Sequence, residues 1–552
     1  MSGRVPRAIV AAAAVWASAL WAAPAPTAQE VSGARVPSDA AHADLFQTSH
    51  ECVACHNDLI TPTGEDVSIG STWRASMMAN ASRDPYWQAA VRRETIDHPS
   101  ASDAIEDECA ICHMPMARTL AHTQGREGRI FANLPAGSDD SVEHRLAADG
   151  VSCTICHQIT AEGLGSRDSF TGGFVVNTAP ATARQMFGPF DIDESRATIM
   201  RSSTGVEPAE ATHLRESAFC ATCHTLYTQA LGPDGQPIGS LPEQVPFLEW
   251  RHSAYEGLAR GCQSCHMPPV EDATRISSVF GELRTGQGRH VFVGGNFLVL
   301  RMLNRHRAEL GVEALPQELE GSITSTIRQL QTTTATVSIA RSEVENGRLN
   351  VDVDVANQTG HKFPTGYPAR RAWLHVTVRD GGGRVVFESG AIRPSGEIAG
   401  NDNDADATRY EPHYTEIDEP GKVQVYEAVM VDGAGTPTTG LLRGVRFVKD
   451  NRLLPLGFDK ATAEPDIAVQ GSAATDASFG PSGDRVRYSL PVGAGTGPYD
   501  VSVELLFQPI GYRWARNLDG YDAPEPRRFV AYYDAMASSS SIVVAQAGAR
   551  VN

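Results

Sequence analysis

The feature that most constrains this chain is the pattern Cys-x-x-Cys-His, which occurs five times in its first half. The copies use all ten cysteines of the 552-residue sequence and leave none over. On a helical turn, positions i, i+3 and i+4 share one face, so the two thiols and the imidazole of each copy face the same ligand. The copies, numbered motif 1 to motif 5 in chain order, are Cys52-Val-Ala-Cys55-His56, Cys109-Ala-Ile-Cys112-His113, Cys153-Thr-Ile-Cys156-His157, Cys220-Ala-Thr-Cys223-His224 and Cys262-Gln-Ser-Cys265-His266.

This pattern is typical of c-type haem attachment, in which two thioethers hold the porphyrin and the histidine binds iron. The sequence therefore predicts five haem c groups as cofactors, held through the ten cysteines. Zinc and disulfides are the alternatives, but zinc sites need four ligands, and a disulfide between positions i and i+3 restrains a chain little. Neither alternative explains a histidine directly after every pair. The predicted proximal iron ligands are His56, His113, His157, His224 and His266.

The distal ligand of each iron decides the function. An iron with protein ligands on both sides of the haem transfers electrons, whereas an iron with one open coordination position can bind substrate. Histidines shortly before a motif or in glycine-rich segments are the first candidates, and two methionines follow motif 1 without a nearby histidine. Methionine ligation would raise that haem's potential, although core packing by thioethers is the alternative. The candidate distal ligands are His144, His213, His290, His122, His252, Met77 and Met78. Three later histidines are expected to be structural or surface residues, with an interface role left open: His361, His375 and His413.

The N-terminus is typical of an export signal. Arg4 and Arg7 precede an alanine-rich apolar run from Ala8 to Ala23, and small residues follow up to Ala28. A retained membrane anchor is the alternative, but an apolar run of about 16 residues is short for a span, which needs roughly 20. The sequence therefore predicts a signal peptide over residues 1–28 and an exported protein, periplasmic or at the cell surface, with no membrane span after cleavage.

Three zones follow the signal. Residues 31–295 hold every motif and are expected to form a pentahaem domain of short helices and long loops. Residues 296–333 carry helical periodicity and predict a connector. From residue 334 to 552 apolar residues alternate with polar ones, and a hairpin turn is expected at Asn346-Gly347. The alternating segments are Leu349–Val355, Leu374–Val378, Val486–Leu490 and Val501–Phe507. The predicted fold class is α+β multidomain, with a haem-packed, mostly α/loop N-terminal domain and a C-terminal antiparallel β-sandwich.

The charge of the sequence limits the kinds of partner that the protein can bind. A net charge of −19 and the lack of a basic run argue against nucleic acid, which needs cations to neutralise phosphates. An acidic surface suits solubility and the steering of a basic redox partner protein. We therefore expect unidentified redox partner proteins, no nucleic acid and no membrane span after signal cleavage, while self-association stays open.

The N-terminal half resembles the cytochrome c-552/c-554 group of multihaem cytochromes. The resemblance rests on the motifs and on surroundings such as Glu108-Cys-Ala-Ile-Cys-His-Met-Pro-Met116 and Cys262-Gln-Ser-Cys-His-Met-Pro268. That group includes a tetrahaem electron acceptor of hydroxylamine oxidoreductase, whose partner cannot be carried over to a chain with a fifth motif. The C-terminal half looks like the β-domain appended to some of these cytochromes, through Asn357–Gly366 and Lys449–Pro455.

These observations favour an electron-transfer cytochrome in which no protein residue acts as acid, base or nucleophile. The first rival is a multihaem reductase or oxidase that acts on a small nitrogen or sulfur compound at one open haem beside polar or cationic groups. The second rival is a subunit of an extracellular cytochrome assembly. The segment Asn401–Asp406 offers oxygen ligands on alternate residues, but it lacks the glycine and glutamate of an EF-hand. A solvated acidic loop is therefore favoured over a calcium site.

Overall fold

The computed structural model describes residues 45–180, 183–481, 483–493 and 497–552. The predicted signal peptide and its cleavage site lie outside these residues. Among the residues that are described, no helix is long and apolar enough to cross a membrane.

The motif-bearing region is mainly short helices, as its sequence predicts. Helix α3 is the longest of them, and Asp84 caps its N-terminus by accepting hydrogen bonds from the amides of Tyr86 and Trp87. The helices α1 to α12, in order, are Ser49–Val53, Ile69–Arg74, Pro85–Asp97, Ser102–His113, Pro115–Thr123, Val142–Ala148, Cys153–Gln158, Glu194–Thr204, Ser217–His224, Pro246–Arg251, Ala254–Gly257 and Cys262–His266.

The same region also contains short strands, which the prediction of a mostly α/loop domain did not locate. Gln185–Gly188 (β1) pairs in parallel with Glu207–Glu210 (β2), and Thr274–Arg275 (β5) pairs with Leu283–Arg284 (β6). Leu226–Leu231 (β3) and Pro237–Gln244 (β4) form an antiparallel hairpin. The turn Pro233-Asp234-Gly235, in which Gly235 has a φ of +76°, is a signal that could have predicted this hairpin.

The connector is helical, with Phe297–Arg305 (α13), Arg307–Leu310 (α14) and Pro316–Thr333 (α15). Its first helix is buried over most of its length because apolar residues occupy nearly every position from Phe297 to Leu303. The apolar core that contains this helix also contains residues of the motif-bearing region and of the C-terminal strands. The connector therefore packs between the two regions.

The C-terminal region contains two larger sheets, and all four alternating segments named from the sequence lie in strands. Asn346 and Gly347 both have positive φ at the hairpin between β7 and β8, as a type I′ turn requires. One sheet has the strand order β11-β16-β8-β7, and the other has β10-β9-β17-β18 with β12 also paired to β9. The strands β7 to β18 are Ala335–Glu345, Arg348–Asn357, Arg371–Arg379, Val385–Ser389, Glu416–Ile417, Val425–Tyr426, Ala428–Val431, Pro437–Thr438, Arg446–Asp450, Asp484–Pro491, Tyr499–Gln508 and Ile542–Val551.

The alternating apolar side chains of these two sheets meet in one core. Val353 of β8, Val376 of β9 and Val503 of β17 are fully buried members of the same cluster. Phe387 of one sheet contacts Tyr488 of the other, with ring centres 6.2 Å apart. The pairing is antiparallel except for β11, which runs parallel to β16. Alternation does not reveal strand direction, so this exception could not be predicted.

The C-terminal region also contains helices that the sequence analysis did not predict: Asp402–Ala405 (α16), Tyr512–Arg516 (α17) and Pro524–Asp534 (α18). Helix α18 packs on α3 of the motif-bearing region, where Tyr86 and Phe529 have ring centres 5.0 Å apart. Arg92 on α3 and Glu525 on α18 form an ion pair at 2.9 Å. The fold is therefore α+β, with an extensive interface between its two regions.

Candidate functional site

Each of the five motifs lies on a helical turn. Motif 1 begins in the last turn of α1, and the amides of Cys55 and His56 both donate to the Cys52 carbonyl, at 3.1 and 3.0 Å. Motifs 2 and 4 end the helices α4 and α9, while motif 3 lies in α7 and motif 5 forms α12. The thiols and imidazole of each motif therefore project from one face of a turn.

All ten cysteines are free thiols, and every one except the exposed Cys265 is half-buried. Several thiols from different motifs contact each other. Cys52 of motif 1 contacts Cys153 of motif 3, and Cys112 of motif 2 contacts Cys223 of motif 4. The third contact joins Cys220 of motif 4 to Cys262 of motif 5. Two of these thiol pairs join cysteines that are 101 and 111 residues apart in the chain, so the fold brings distant thiols together.

These contacts give the motifs a spatial order that differs from their sequence order. Motif 3 reaches motif 4 through Cys156, whose thiol lies close to Cys223. The imidazole of His224 lies near those of His113 and His266. Within the described part of the chain, motif 4 therefore neighbours motifs 2, 3 and 5, while motif 1 neighbours motif 3. Judged by which thiols lie close to each other, the order of the motifs is branched, with motif 4 at the branch point.

Four of the five motif histidines are anchored through Nδ1. Because a carbonyl oxygen can only accept, each Nδ1 carries the proton and leaves the Nε2 lone pair available to bind a metal. An Nδ1–H donated to a backbone carbonyl is a common way to orient a ligating histidine. The pairs are His56 with Ile276 at 2.6 Å, His113 with Ala81 at 3.0 Å, His157 with Phe187 at 2.5 Å and His266 with Val293 at 2.5 Å.

Burial keeps several of these imidazoles neutral, which is the form that binds metals. Desolvation lowers the pKa of His113 and of His224 to about 4. The same cause lowers the pKa of His290 and of His361 to about 4. These four imidazoles are therefore uncharged at neutral pH.

Two motif histidines lie opposite a second imidazole. The ring of His157 lies 6.5 Å from that of His290, with an angle of 20° between their planes. The ring of His266 lies 6.2 Å from that of His361, at 19°. His113 instead stacks directly on Trp87, with ring centres 4.3 Å apart and planes within 4°. Motifs 3 and 5 therefore each have a second histidine at a similar ring distance and a similar angle between the ring planes.

His144 and His213, two predicted distal ligands, are buried close to the motifs. His144 accepts a hydrogen bond at Nε2 from the amide of Ser138, at 3.2 Å. His213 donates from Nε2 to the carbonyl of Ile159, at 2.9 Å, and its ring contacts Phe187 and Phe219. His213 therefore keeps its lone pair on Nδ1, which is left to bind a metal, whereas His144, whose Nε2 accepts, carries its proton on Nδ1.

The other predicted distal ligands have protein partners or pack as apolar groups. His122 pairs with Asp107 at 2.7 Å, and His252 donates to the carbonyl of Asp459 at 3.0 Å. Met77 is half-buried against the main apolar core, as the packing alternative expects, and Met78 is half-buried beside it. Their assignment as ligands stays a prediction.

A buried guanidinium lies near motif 4. Arg370 donates to the carbonyl of Thr365 at 2.7 Å and to the side-chain oxygen of Asn296 at 3.3 Å, and both acceptors are neutral. Burial lowers the pKa of Arg370 to about 10, while the charge of Asp84 acts in the opposite direction. The same guanidinium contributes to the low pKa of His224. Motif 4 therefore has a cationic neighbour that no ion pair within the described residues neutralises.

Histidines and acidic groups of the C-terminal region are mostly engaged in polar networks. His375 lies between Glu388 and Glu504, at 3.0 Å from each, and His413 pairs with Asp476 at 3.0 Å. In the segment considered for calcium, Asn401 caps α16. Asp404 of the same segment is buried and pairs with Arg371 at 2.7 Å, so the segment is not a wholly solvated acidic loop.

His361 is the residue whose position sequence reasoning missed. It was expected to be structural or to lie at the surface, with an interface role left open, because it belongs to a cysteine-free region far along the chain from motif 5. The structure instead brings its ring opposite His266. The glycines of Gly360-His361 and Gly366, which resemble the setting of His290 before Gly294-Gly295, were the available signal.

The fold is similar to that of one solved multihaem cytochrome. Among solved structures, it matches a penta-heme cytochrome c552 from Thermochromatium tepidum, with a TM-score of 0.51 and 16% sequence identity. The match covers 92% of this chain and 99% of that one, so it includes both the motif-bearing and the C-terminal regions. No family model matches the sequence, and no curated protein matches it.

Proposed function

We propose that this chain is an electron-transfer cytochrome that carries five covalently bound haem c groups. The observation that carries the proposal is the set of five helical turns, each presenting two free thiols and an imidazole. Four of those imidazoles are oriented by Nδ1 so that Nε2 is free to bind iron. The likeness in fold to a protein described as a penta-heme cytochrome supports the same cofactor count.

The protein's own residues would hold the groups in place and close to each other. Each pair of cysteines would form the two thioethers, and His56, His113, His157, His224 and His266 would be the proximal ligands. Bound haem supplies the iron that gains and loses one electron. Thiol contacts between motifs keep the attachment points of neighbouring groups adjacent. This connected arrangement supports transfer from one group to the next.

His290 would be the distal ligand for the haem of motif 3. Its Nδ1 donates to the carbonyl of Gly288 at 3.0 Å, which leaves Nε2 for iron, and its ring faces His157. Ligation by two histidines closes an iron to substrates and suits electron transfer.

We further propose that the protein is exported and exchanges electrons with other proteins, since haem attached through thioethers fits the export signal of residues 1–28. The net charge of −19 favours a basic partner, because opposite charge steers encounter. Periplasm and cell surface stay open as locations, and self-association stays open as well.

Spin state and small-ligand binding test this function on the purified holoprotein. If the chain only transfers electrons, every haem is expected to be low-spin and inert to nitrite, hydroxylamine and carbon monoxide. Electron paramagnetic resonance and optical titration measure both properties. A high-spin signal that changes when one of these ligands is added would contradict plain electron transfer.

Arg370 favours a second candidate function, reduction of a small anion at the haem of motif 4. The Arg370 guanidinium, whose charge contributes to the lowered pKa of His224, would attract and orient an anionic nitrogen or sulfur compound. If an open haem is found, Arg370→Gln should weaken nitrite binding by at least about tenfold, a loss of about 1.4 kcal/mol. Carbon monoxide binding, which needs no cation, should be unchanged. Equal nitrite affinity in the variant would exclude this role for Arg370.

A further inference from the structure

We propose that His361, from the C-terminal region, is the second axial ligand of the haem held by Cys262, Cys265 and His266. The proposal rests on the proposed haem attachment and adds a ligand from the other half of the chain. It makes the C-terminal region a part of one haem site.

The separation of the two rings fits a shared metal. With metal–nitrogen bonds of about 2 Å and about 1.2 Å from nitrogen to ring centre, two imidazoles on one metal have centres about 6.3 Å apart. The rings of His266 and His361 are 6.2 Å apart, and their planes differ by 19°. Direct stacking is closer, as the 4.3 Å between Trp87 and His113 illustrates. The pair formed by His157 and His290 repeats this geometry at an independent motif.

The hydrogen bonds of both rings leave the same nitrogen free. His266 donates from Nδ1 to the carbonyl of Val293 at 2.5 Å, and His361 donates from Nδ1 to the carbonyl of Lys362 at 2.9 Å. Because both acceptors are carbonyl oxygens, each ring carries its proton on Nδ1. Each therefore keeps a lone pair on Nε2, which is what two ligands of one iron require.

Hydrogen bonds from other residues of the C-terminal region fix the backbone at His361. The His361 carbonyl accepts hydrogen bonds from the Asn357 side-chain amide at 2.7 Å and from the Thr359 hydroxyl at 2.9 Å. Asn357 ends strand β8, so the loop begins on a rigid element. The turn that carries the His361 ring is therefore held in one conformation by these hydrogen bonds.

The motif-bearing region holds the same loop from the other side. The Tyr255 hydroxyl donates to the carbonyl of Gln358 at 2.6 Å, and Glu249 accepts a hydrogen bond from the amide of Lys362 at 3.1 Å. A Cβ at Gly360 would lie 3.1 Å from Tyr255 and 3.3 Å from Trp250, so this glycine lets the two regions meet closely. Both halves of the chain thus fix the position of His361 relative to motif 5.

The test compares His361→Ala with His375→Ala in the full-length holoprotein. His375 is a matched control because it also lies in the C-terminal region, but its ring is engaged by Glu388 and Glu504. We expect His361→Ala to keep the wild-type number of haems while one haem becomes high-spin and binds carbon monoxide. Added imidazole should restore the low-spin spectrum. His375→Ala should have the wild-type spectrum.

A wild-type haem spectrum in the His361→Ala variant, with every haem retained, would overturn the proposal. If that variant does not fold, His361→Met decides, because methionine ligation should raise the potential of a single haem while it stays low-spin. Unchanged potentials in His361→Met would equally overturn the proposal. Absence of covalent haem from the wild-type protein would instead refute the proposed function, so the two failures are distinguishable.

Discussion

Replacing Cys220 and Cys223 with alanine is expected to separate the haems of motifs 1 and 3 from those of motifs 2 and 5. Among the described thiols, those of motif 4 are the only ones that lie close both to motif 3 and to motifs 2 and 5. Loss of its haem leaves a gap at the branch point. We expect a second phase in the reduction kinetics that is at least about tenfold slower, which is about 1.4 kcal/mol in barrier.

The matched control for this variant replaces Cys262 and Cys265, which belong to the motif at the end of a branch. Both variants lose one attachment site, so both should carry four haems. Only the variant at the branch point should show two reduction phases, because the other leaves its four remaining motifs connected. Rapid-mixing reduction followed in the Soret band measures the phases. Single-phase reduction of the branch-point variant would contradict the branched arrangement.

Asp450→Asn is expected to destabilise the protein by about 3–5 kcal/mol, because it breaks a buried group of charges. Asp450 accepts from Lys362 at 2.7 Å and from Arg452 at 2.8 Å, and Arg452 also pairs with Glu249 at 2.9 Å. Burial alone would raise the pKa of Asp450, but the two cations hold that pKa well below its usual range. The substitution leaves an excess positive charge away from water.

The control for Asp450→Asn is Asp354→Asn, which breaks an exposed ion pair with Arg485 at 2.6 Å. Exposed pairs contribute at most about 1 kcal/mol. The free energy of unfolding in denaturant measures both variants. Since Lys362 follows His361, Asp450→Asn should also increase the high-spin fraction of one haem, whereas Asp354→Asn should not. Equal and small losses of stability in both variants would contradict the structural role of the buried group.

Local sequence was sufficient to predict the helical turns of the five motifs and much of the secondary structure. The motif spacing fits a single turn, and alternation predicted β8, β9, β16 and β17, because both depend on residues close in the chain. Helix α13 was predicted for the same reason, from a run of apolar residues. The hairpin of β3 and β4 was missed, although its Pro-Asp-Gly turn is local.

The spatial order of the motifs and the placement of His361 could not be predicted. Both depend on contacts between residues far apart in the chain, such as Cys52 with Cys153 and His266 with His361. A histidine's neighbouring residues do not say whether it is a ligand, since His144 and His213 precede motifs and yet bond to backbone groups through Nε2. Distance along the chain was the misleading guide for His361.

The most direct test of five covalent haems is the intact mass of the purified protein under denaturing conditions. Thioether-bound haem survives denaturation, so the account predicts a mass that exceeds the mature polypeptide by five haem groups. Pyridine haemochrome analysis of the same sample should give five haems per chain. The contradicting result is a mass without haem, at the polypeptide value or lower by two hydrogens for each disulfide formed among the ten cysteines.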